Sequence, residues 1–186
     1  MRTGLMIGAA TLLLCACTPD YPKLPPLPAK AAPFSTADAA FLQQANEHDL
    51  TEAAMAKLAD DHARSSDVKA LGARSATDYE AHRKTLASLA DKHGLALTDT
   101  LMAKDQERVD RLSGLHGRAF DRAYVEAMER EAKSVQPVIT TTYTTTKDSD
   151  VKAAATAMQK LDQRSISSAY SWLPQLSTRK YGKSAR

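Results

Sequence analysis

In the segment "ATDYEAHRK", residues 76–84, Asp78, Glu80 and His82 offer two carboxylates and an imidazole within little more than one helical turn. Carboxylate oxygen with imidazole nitrogen is a ligand set for Fe, Mn or Zn. On a helix, Asp78 and His82 stand at i and i+4 and share a face, whereas Glu80 points elsewhere. Heptad-like spacing places Val68, Leu71, Ser75, Asp78, His82, Leu86 and Leu89 on one seam, so the pair is expected to face inward. The same spacing puts Phe41, Ala45, His48, Glu52, Met55, Ala59 and His62 inside a first long helix. It puts Phe120, Tyr124, Ala127, Glu131, Val135 and Val138 inside a third. In a fourth it selects Val151, Ala155, Met158, Asp162, Ser165, Ala169 and Trp172, with Leu161 competing against Asp162.

An interior carboxylate is costly unless it is paired or ligated. Glu52, Asp78, His82 and Glu131 are therefore the candidate metal ligands. Against them stands the pattern of di-iron bundles, which repeat Glu-x-x-His on two helices. That spacing is absent from the second and fourth helices, and the third has no histidine. Asp and His at i, i+4 also support an ordinary exposed helix. No cofactor is expected on the leading reading; Fe, Mn or Zn belongs to the alternative.

Other chemistry has no foothold in the sequence. There is no Gly-rich phosphate loop and no G-x-S-x-G elbow. Both cysteines, Cys15 and Cys17, lie near the start, so the rest of the chain has neither a thiol nucleophile nor a disulfide. The net charge of +3 is spread among interspersed charges. Without a basic stripe interleaved with aromatics, a nucleic-acid partner is not expected.

The elements that must position these residues begin after a leader. Arg2 is a short positive region, and "LMIGAATLLL" is apolar but too short to span a bilayer. Leu14-Cys15-Ala16-Cys17 resembles a bacterial lipobox, although Cys15 stands where Ala or Ser is usual. The resemblance implies cleavage before Cys17 and acylation of its thiol. Two or three acyl chains make a stable anchor. Thr18 rather than Asp follows, which by resemblance to Gram-negative lipoprotein sorting implies the outer membrane. Residues 1–16 are thus read as signal peptide, and 17–33 as lipidated cysteine and linker. Six of the eight prolines fall in residues 18–33, a composition that favours extended polyproline II over helix or sheet. At ~3.1 Å per residue this segment would hold a domain roughly 45 Å from a membrane.

From Phe34 the chain is rich in Ala, Leu, Lys and Glu, which predicts an all-α domain over residues 34–174. A first helix is expected from a Ser35/Thr36 cap to about Arg64. A second starts where Ser66 or Asp67 caps it and stops at Gly94. A shorter helix spans Asp99 to about Ser113. A third runs from about Arg118 into the threonine tract, and a fourth from "KDSD" to about Trp172. Pro137 and the six threonines after it predict a kink and a weakened helix end. Short turns make helices one and two, and three and four, antiparallel hairpins. A long crossover containing the short helix then predicts a ferritin-like four-helix bundle, with a plain up-down-up-down bundle as the alternative. Residues 175–186 are read as a basic, disordered tail, whose sharper use would be contact with an anionic envelope component.

From about Phe41 to Trp172 the chain resembles a large family of exported bacterial proteins of unknown function, often labelled outer membrane proteins. The carrying segments are "FLQQANEHDLTEAAMAKLA", "VKALGARSATDYEAHRKTLASLADKHGLAL" and "FDRAYVEAMEREAKSV". The resemblance implies export and a ferritin-like bundle, and implies no activity. Many members carry Asp-His in the second helix and again in the third. Here those pairs read Asp78-Tyr79 and Glu131-Ala132. The acids remain and the histidines are gone, while Glu52 keeps the family's acid in the first helix. Tyr79 is thus expected to replace a histidine through its hydroxyl, with His82 one turn on. The leading expectation is a non-catalytic, lipid-anchored bundle facing the periplasm, with a structural, binding or stress-related role and an envelope protein or anionic envelope component as partner. The alternative is a metal-binding or ferroxidase-like bundle.

Overall fold

The computed structural model describes residues 31–178, with side chains described as far as Ser171. The segment expected to be a signal peptide, Cys17 and most of the proline-rich segment lie outside the described residues, as does the chain beyond Thr178. Six helices follow one another: α1 (Thr36–Lys57), α2 (Ala59–His62), α3 (Ser66–Lys92), α4 (Ala103–Ser113), α5 (Gly117–Thr145) and α6 (Ser149–Thr178). The described residues contain no strand, only an isolated bridge between Ala63 and Gly117. No helix among them is long and apolar enough to cross a membrane.

Local chemistry sets the boundaries. Ser35 Oγ accepts from the Asp38 amide at 3.1 Å and caps α1. The expected first helix breaks at Leu58, whose amide bonds Met55 O, three residues back, at 3.3 Å. The last turn, α2, is thereby set off. Ser65, one residue earlier than expected, caps α3 by accepting from the Asp67 amide. Gly94 closes α3 with a φ of 72°, a conformation that favours glycine. The short helix starts at Ala103 rather than Asp99, because residues 94–102 run as a strap.

Helix α5 passes through Pro137 and takes in the threonines up to Thr145. The hydroxyls of Thr144 and Thr145 donate to the carbonyls of Thr140 and Thr141 at 3.0 and 2.8 Å. The tract therefore satisfies its hydroxyls without leaving the helix. Helix α6 likewise runs past the expected stop at Trp172 and includes Pro174.

Around the bundle, α1 packs on α3 and α5, and α6 packs on the same two. Phe34, just before α1, stacks on His93 at the end of α3, so α1 and α3 are antiparallel. At the other end, Asp121 in the second turn of α5 accepts from the Arg64 and Ser65 amides at 3.0 and 3.2 Å. The segment 93–116 therefore travels the length of the bundle. It is tied to α1 on the way: Asn46 Nδ2 donates to Thr98 O at 2.8 Å, and the Met102 amide donates to Glu47 Oε1 at 2.6 Å. The motif "FDRAY" is explained by this corner. Phe120 and Tyr124 are fully buried, and Asp121 fixes the turn between α2 and α3. A Cβ on Gly72 would lie 2.4 Å from Ala59 Cβ, so glycine is what lets α3 close on α2.

The core is split along its length. One apolar cluster gathers Met55, Val68, Leu71, Phe120, Tyr124 and Met128. The other gathers Phe41, Leu42, Leu86, Ile139, Val151 and Met158. Each large side chain buried there stabilises the fold by about 1.5–3 kcal/mol. Between the clusters lies a layer of buried polar side chains from all four long helices.

Candidate functional site

The polar layer is made by one or more residues from each long helix: His48, Asp49 and Glu52 on α1, Ser75, Tyr79 and His82 on α3, Glu131 on α5, and Asp162 and Ser165 on α6. Two hydrogen-bonded units organise it. Asp162 Oδ1 accepts from His48 Nε2 at 3.0 Å and from the Tyr79 hydroxyl at 2.9 Å. His82 Nδ1 lies 2.8 Å from Asp49 Oδ2. Asp49 Oδ1, Glu52 Oε2, His82 Nε2 and Asp162 Oδ2 are buried without a partner among the described residues.

Burial alone would push the His48 imidazole down. The hydrogen bond and charge of Asp162, with Glu52 and Asp49 nearby, outweigh it and hold His48 up at about 9. Burial also dominates at Glu52 and pushes its carboxyl up to about 8, against the opposing pull of His48. Asp49 is raised by burial, with His82 acting in the other direction. His82 is raised because its bond to Asp49 overcomes burial. Near neutral pH the layer thus holds a protonated His48 beside a protonated, neutral Glu52.

The layer reaches the surface through a cleft of about 760 Å³ between α1, α4 and α5. His48 and Glu131 line its floor, Glu47 and Asp105 one wall, and Gln44 and Met102 the mouth. Arg108 on α4 pairs with Glu131 and lies 3.1 Å from Asp105, so it bridges two helices across the cleft. Burial raises Glu47, the Met102 amide opposes it, and Asp105 adds to the rise.

A protein-family model described as "Domain of unknown function (DUF4142)" matches residues 23–167. The chain belongs to that family. No curated protein matches it. Among solved structures, the "Crystal structure of DUF305 fragment from Deinococcus radiodurans" superposes with a TM-score of 0.69 at 12% identity, over 77% of this chain and 99% of that one. A structure described as "CopM in the Cu(I)-bound form" gives 0.62 at 17% identity, over 78% and 98%. At these identities the likeness of the DUF4142 chain to both is one of fold.

The expected ligand set does not assemble. Glu52, His82 and Glu131 are buried as expected, but Asp78 is not in the layer. It lines a small cavity at the α3–α6 surface with Arg74 and Arg164. The inward position belongs to Tyr79, eleven residues after Val68, which is about three turns of an α-helix. Glu131 is taken by Arg108, and His82 by Asp49. Among the described residues no group of three or more His, Cys, Asp or Glu has the arrangement of a metal site. Tyr79, expected to act through its hydroxyl, donates to Asp162. Glu80 pairs with Lys57 on the outside. Asp49 and Arg108 join the site without a signal in the sequence. Asp49 lies off the heptad stripe, and no short-range pattern links Arg108 to Glu131.

Proposed function

We propose that this DUF4142 chain is a lipid-anchored helical bundle of the bacterial cell envelope that works by binding and not by catalysis. Acyl chains on Cys17 attach it to the outer membrane, the proline-rich linker spaces it from the surface, and the bundle faces the periplasm. Two antiparallel hairpins joined by one connection running the bundle's length support a ferritin-like connectivity. The observation that carries the binding reading is the cleft whose charged floor is already engaged. His48 is held protonated by Asp162 and has no lone pair free to act as a base near neutral pH. Glu131 is held by Arg108. Groups so fixed present a shaped, charged surface to an envelope partner.

The anchor is tested by metabolic labelling with a fatty acid. The natural chain is expected to incorporate label and sediment with membranes, and Cys17→Ser to do neither. Membrane attachment of the natural chain without incorporated lipid overturns the proposal.

A second reading, metal binding with Fe, Mn or Zn, is favoured by one observation. The unpartnered atoms of Asp49, Glu52, Asp162 and His82 lie in one buried layer and carry oxygen and imidazole donors. The present arrangement does not fit a metal, because His48 and Tyr79 already hold Asp162 and the Asp78 side chain is elsewhere. On this reading the purified full chain carries one or two metal equivalents by elemental analysis, and Glu52→Gln lowers that number. Metal-free protein whose melting is indifferent to chelator ends it.

A further inference from the structure

Asp78 belongs to a different feature, one that the cleft and the buried layer leave unexplained. It lines a cavity of about 70 Å³ between α3 and α6 together with Leu71, Arg74, Ser75, Arg164 and Ser165. Arg74 and Arg164 also line a wider open groove of about 780 Å³ alongside, where Lys160, Gln163 and Ser167 join them. Asp78 is the only carboxylate in either wall. The next nearest acid on α6, Asp162, is buried and turned to His48 and Tyr79. Among the described residues, Arg74, Lys160 and Arg164 form no ion pair, not even with Asp78 between them. Ser75 is 1% exposed and Ser165 7%, and their hydroxyls stand near those of Tyr124 and Tyr79 at the back of the cavity. Two guanidinium groups without an ion pair, buried serines at the back and one carboxylate together make a cationic pocket with a single negative group.

We propose that this α3–α6 cavity binds inorganic phosphate. The guanidinium forks of Arg74 and Arg164 suit a tetrahedral oxyanion, as planar paired donors. Lys160 adds positive potential at the entrance. Asp78 supplies the selectivity. A carboxylate accepts a hydrogen bond from an oxyanion that still carries a proton and repels one that does not. Inorganic phosphate keeps a proton at neutral pH. Sulfate has none, and a phosphate monoester has lost its last one for the most part, with a second pKa of about 6. The cavity is therefore a phosphate site that discriminates against sulfate and against esters. It is independent of the Cys17 anchor and of the cleft between α1, α4 and α5.

Titration calorimetry of the full chain with inorganic phosphate, sulfate and glycerol phosphate near pH 7 tests this. Phosphate is expected to bind about tenfold or more tightly than sulfate and the ester. Arg164→Ala is expected to weaken phosphate by about tenfold or more, as for loss of a charge-assisted bond. Asp78→Asn is expected to admit sulfate and bring the phosphate-to-sulfate ratio close to one. Arg164 is exposed and Asp78 half-buried, and an unchanged thermal melt in each variant shows that folding is intact. Equal binding of phosphate and sulfate by the natural chain, binding of neither, or an unchanged ratio in Asp78→Asn overturns the proposal.

Discussion

Asp162→Ala is expected to lower the unfolding free energy by about 3–5 kcal/mol, the range for removing one member of a buried charge pair. Asp162 is 3% exposed, and one of its oxygens serves two donors, His48 Nε2 at 3.0 Å and the Tyr79 hydroxyl at 2.9 Å. Alanine leaves an imidazolium with its counterion removed and a buried phenol with no acceptor. His48 has an escape, because without Asp162 its burial favours the neutral ring. Tyr79 has none, being 1% exposed. Asp162→Asn keeps an acceptor for Tyr79 and removes only the charge, so it should cost less than the alanine variant. For a domain of this size the larger loss corresponds to a fall in Tm of roughly 10 °C. Chemical denaturation of the natural chain and both variants checks the ordering. A loss below about 1 kcal/mol for alanine, or an asparagine variant as damaged as the alanine one, would show that the pair does not hold the layer together.

This layer also marks where the sequence was legible. The helices, their caps and the crossover follow from local signals: Ser35 before an acidic first turn, Gly94 after Lys92, and the long connection between α3 and α5. Glu52, His82 and Glu131 were found because each falls on an apolar stripe whichever spacing is used. Asp78 was misplaced because a strict seven-residue repeat drifts against a helix of 3.6 residues per turn, by about 20° per heptad. Ten residues from Val68, that drift and the breadth of the stripe are enough to exchange Asp78 for Tyr79. On α1 the difficulty is different. Buried residues such as Asn46, Glu47, Asp49 and Thr51 fall beside the stripe, because α3, α5, α4 and the strap cover the helix on several sides. A helix enclosed in this way has no single inner face to read, so Asp49, the partner of His82, was invisible. Arg108 reaches Glu131 across 23 residues of sequence, and only the fold creates that contact.

The second large effect is on pH. Stability is expected to fall by several kcal/mol between about pH 5 and pH 9, against the acid-labile behaviour common among proteins whose carboxylates are paired. Burial holds Glu52 up at about 8 in the folded chain against 4.5 for an ordinary glutamate, so the folded state retains a proton that the unfolded chain has released. Its contribution is complete below 4.5 and lost as pH rises through 8. A shift of that size corresponds to at most on the order of 4–5 kcal/mol. His48 acts in the same sense in a higher window. Raised from 6.5 to about 9, it contributes fully below 6.5 and loses that contribution through 9. Raised values at Asp49, His82 and Glu47 add with the same sign. Glu80 and Glu129, lowered by Lys57 and Lys133, act only below the ordinary glutamate value of 4.5, outside this window. The two central groups do not simply add, since Glu52 ionised above pH 8 stands beside a cationic His48 and offsets part of its own burial. Glu52→Gln separates them. It keeps the neutral shape that Glu52 has below pH 8, so it should match the natural chain near pH 5, exceed it near pH 8, and retain the His48 decline towards pH 9. Urea denaturation at pH 5, 8 and 9 reads all three points. A natural chain equally stable at pH 5 and 9, or a glutamine variant with an undiminished slope between 5 and 8, would mean that Glu52 is not the buried neutral acid on which this expectation depends.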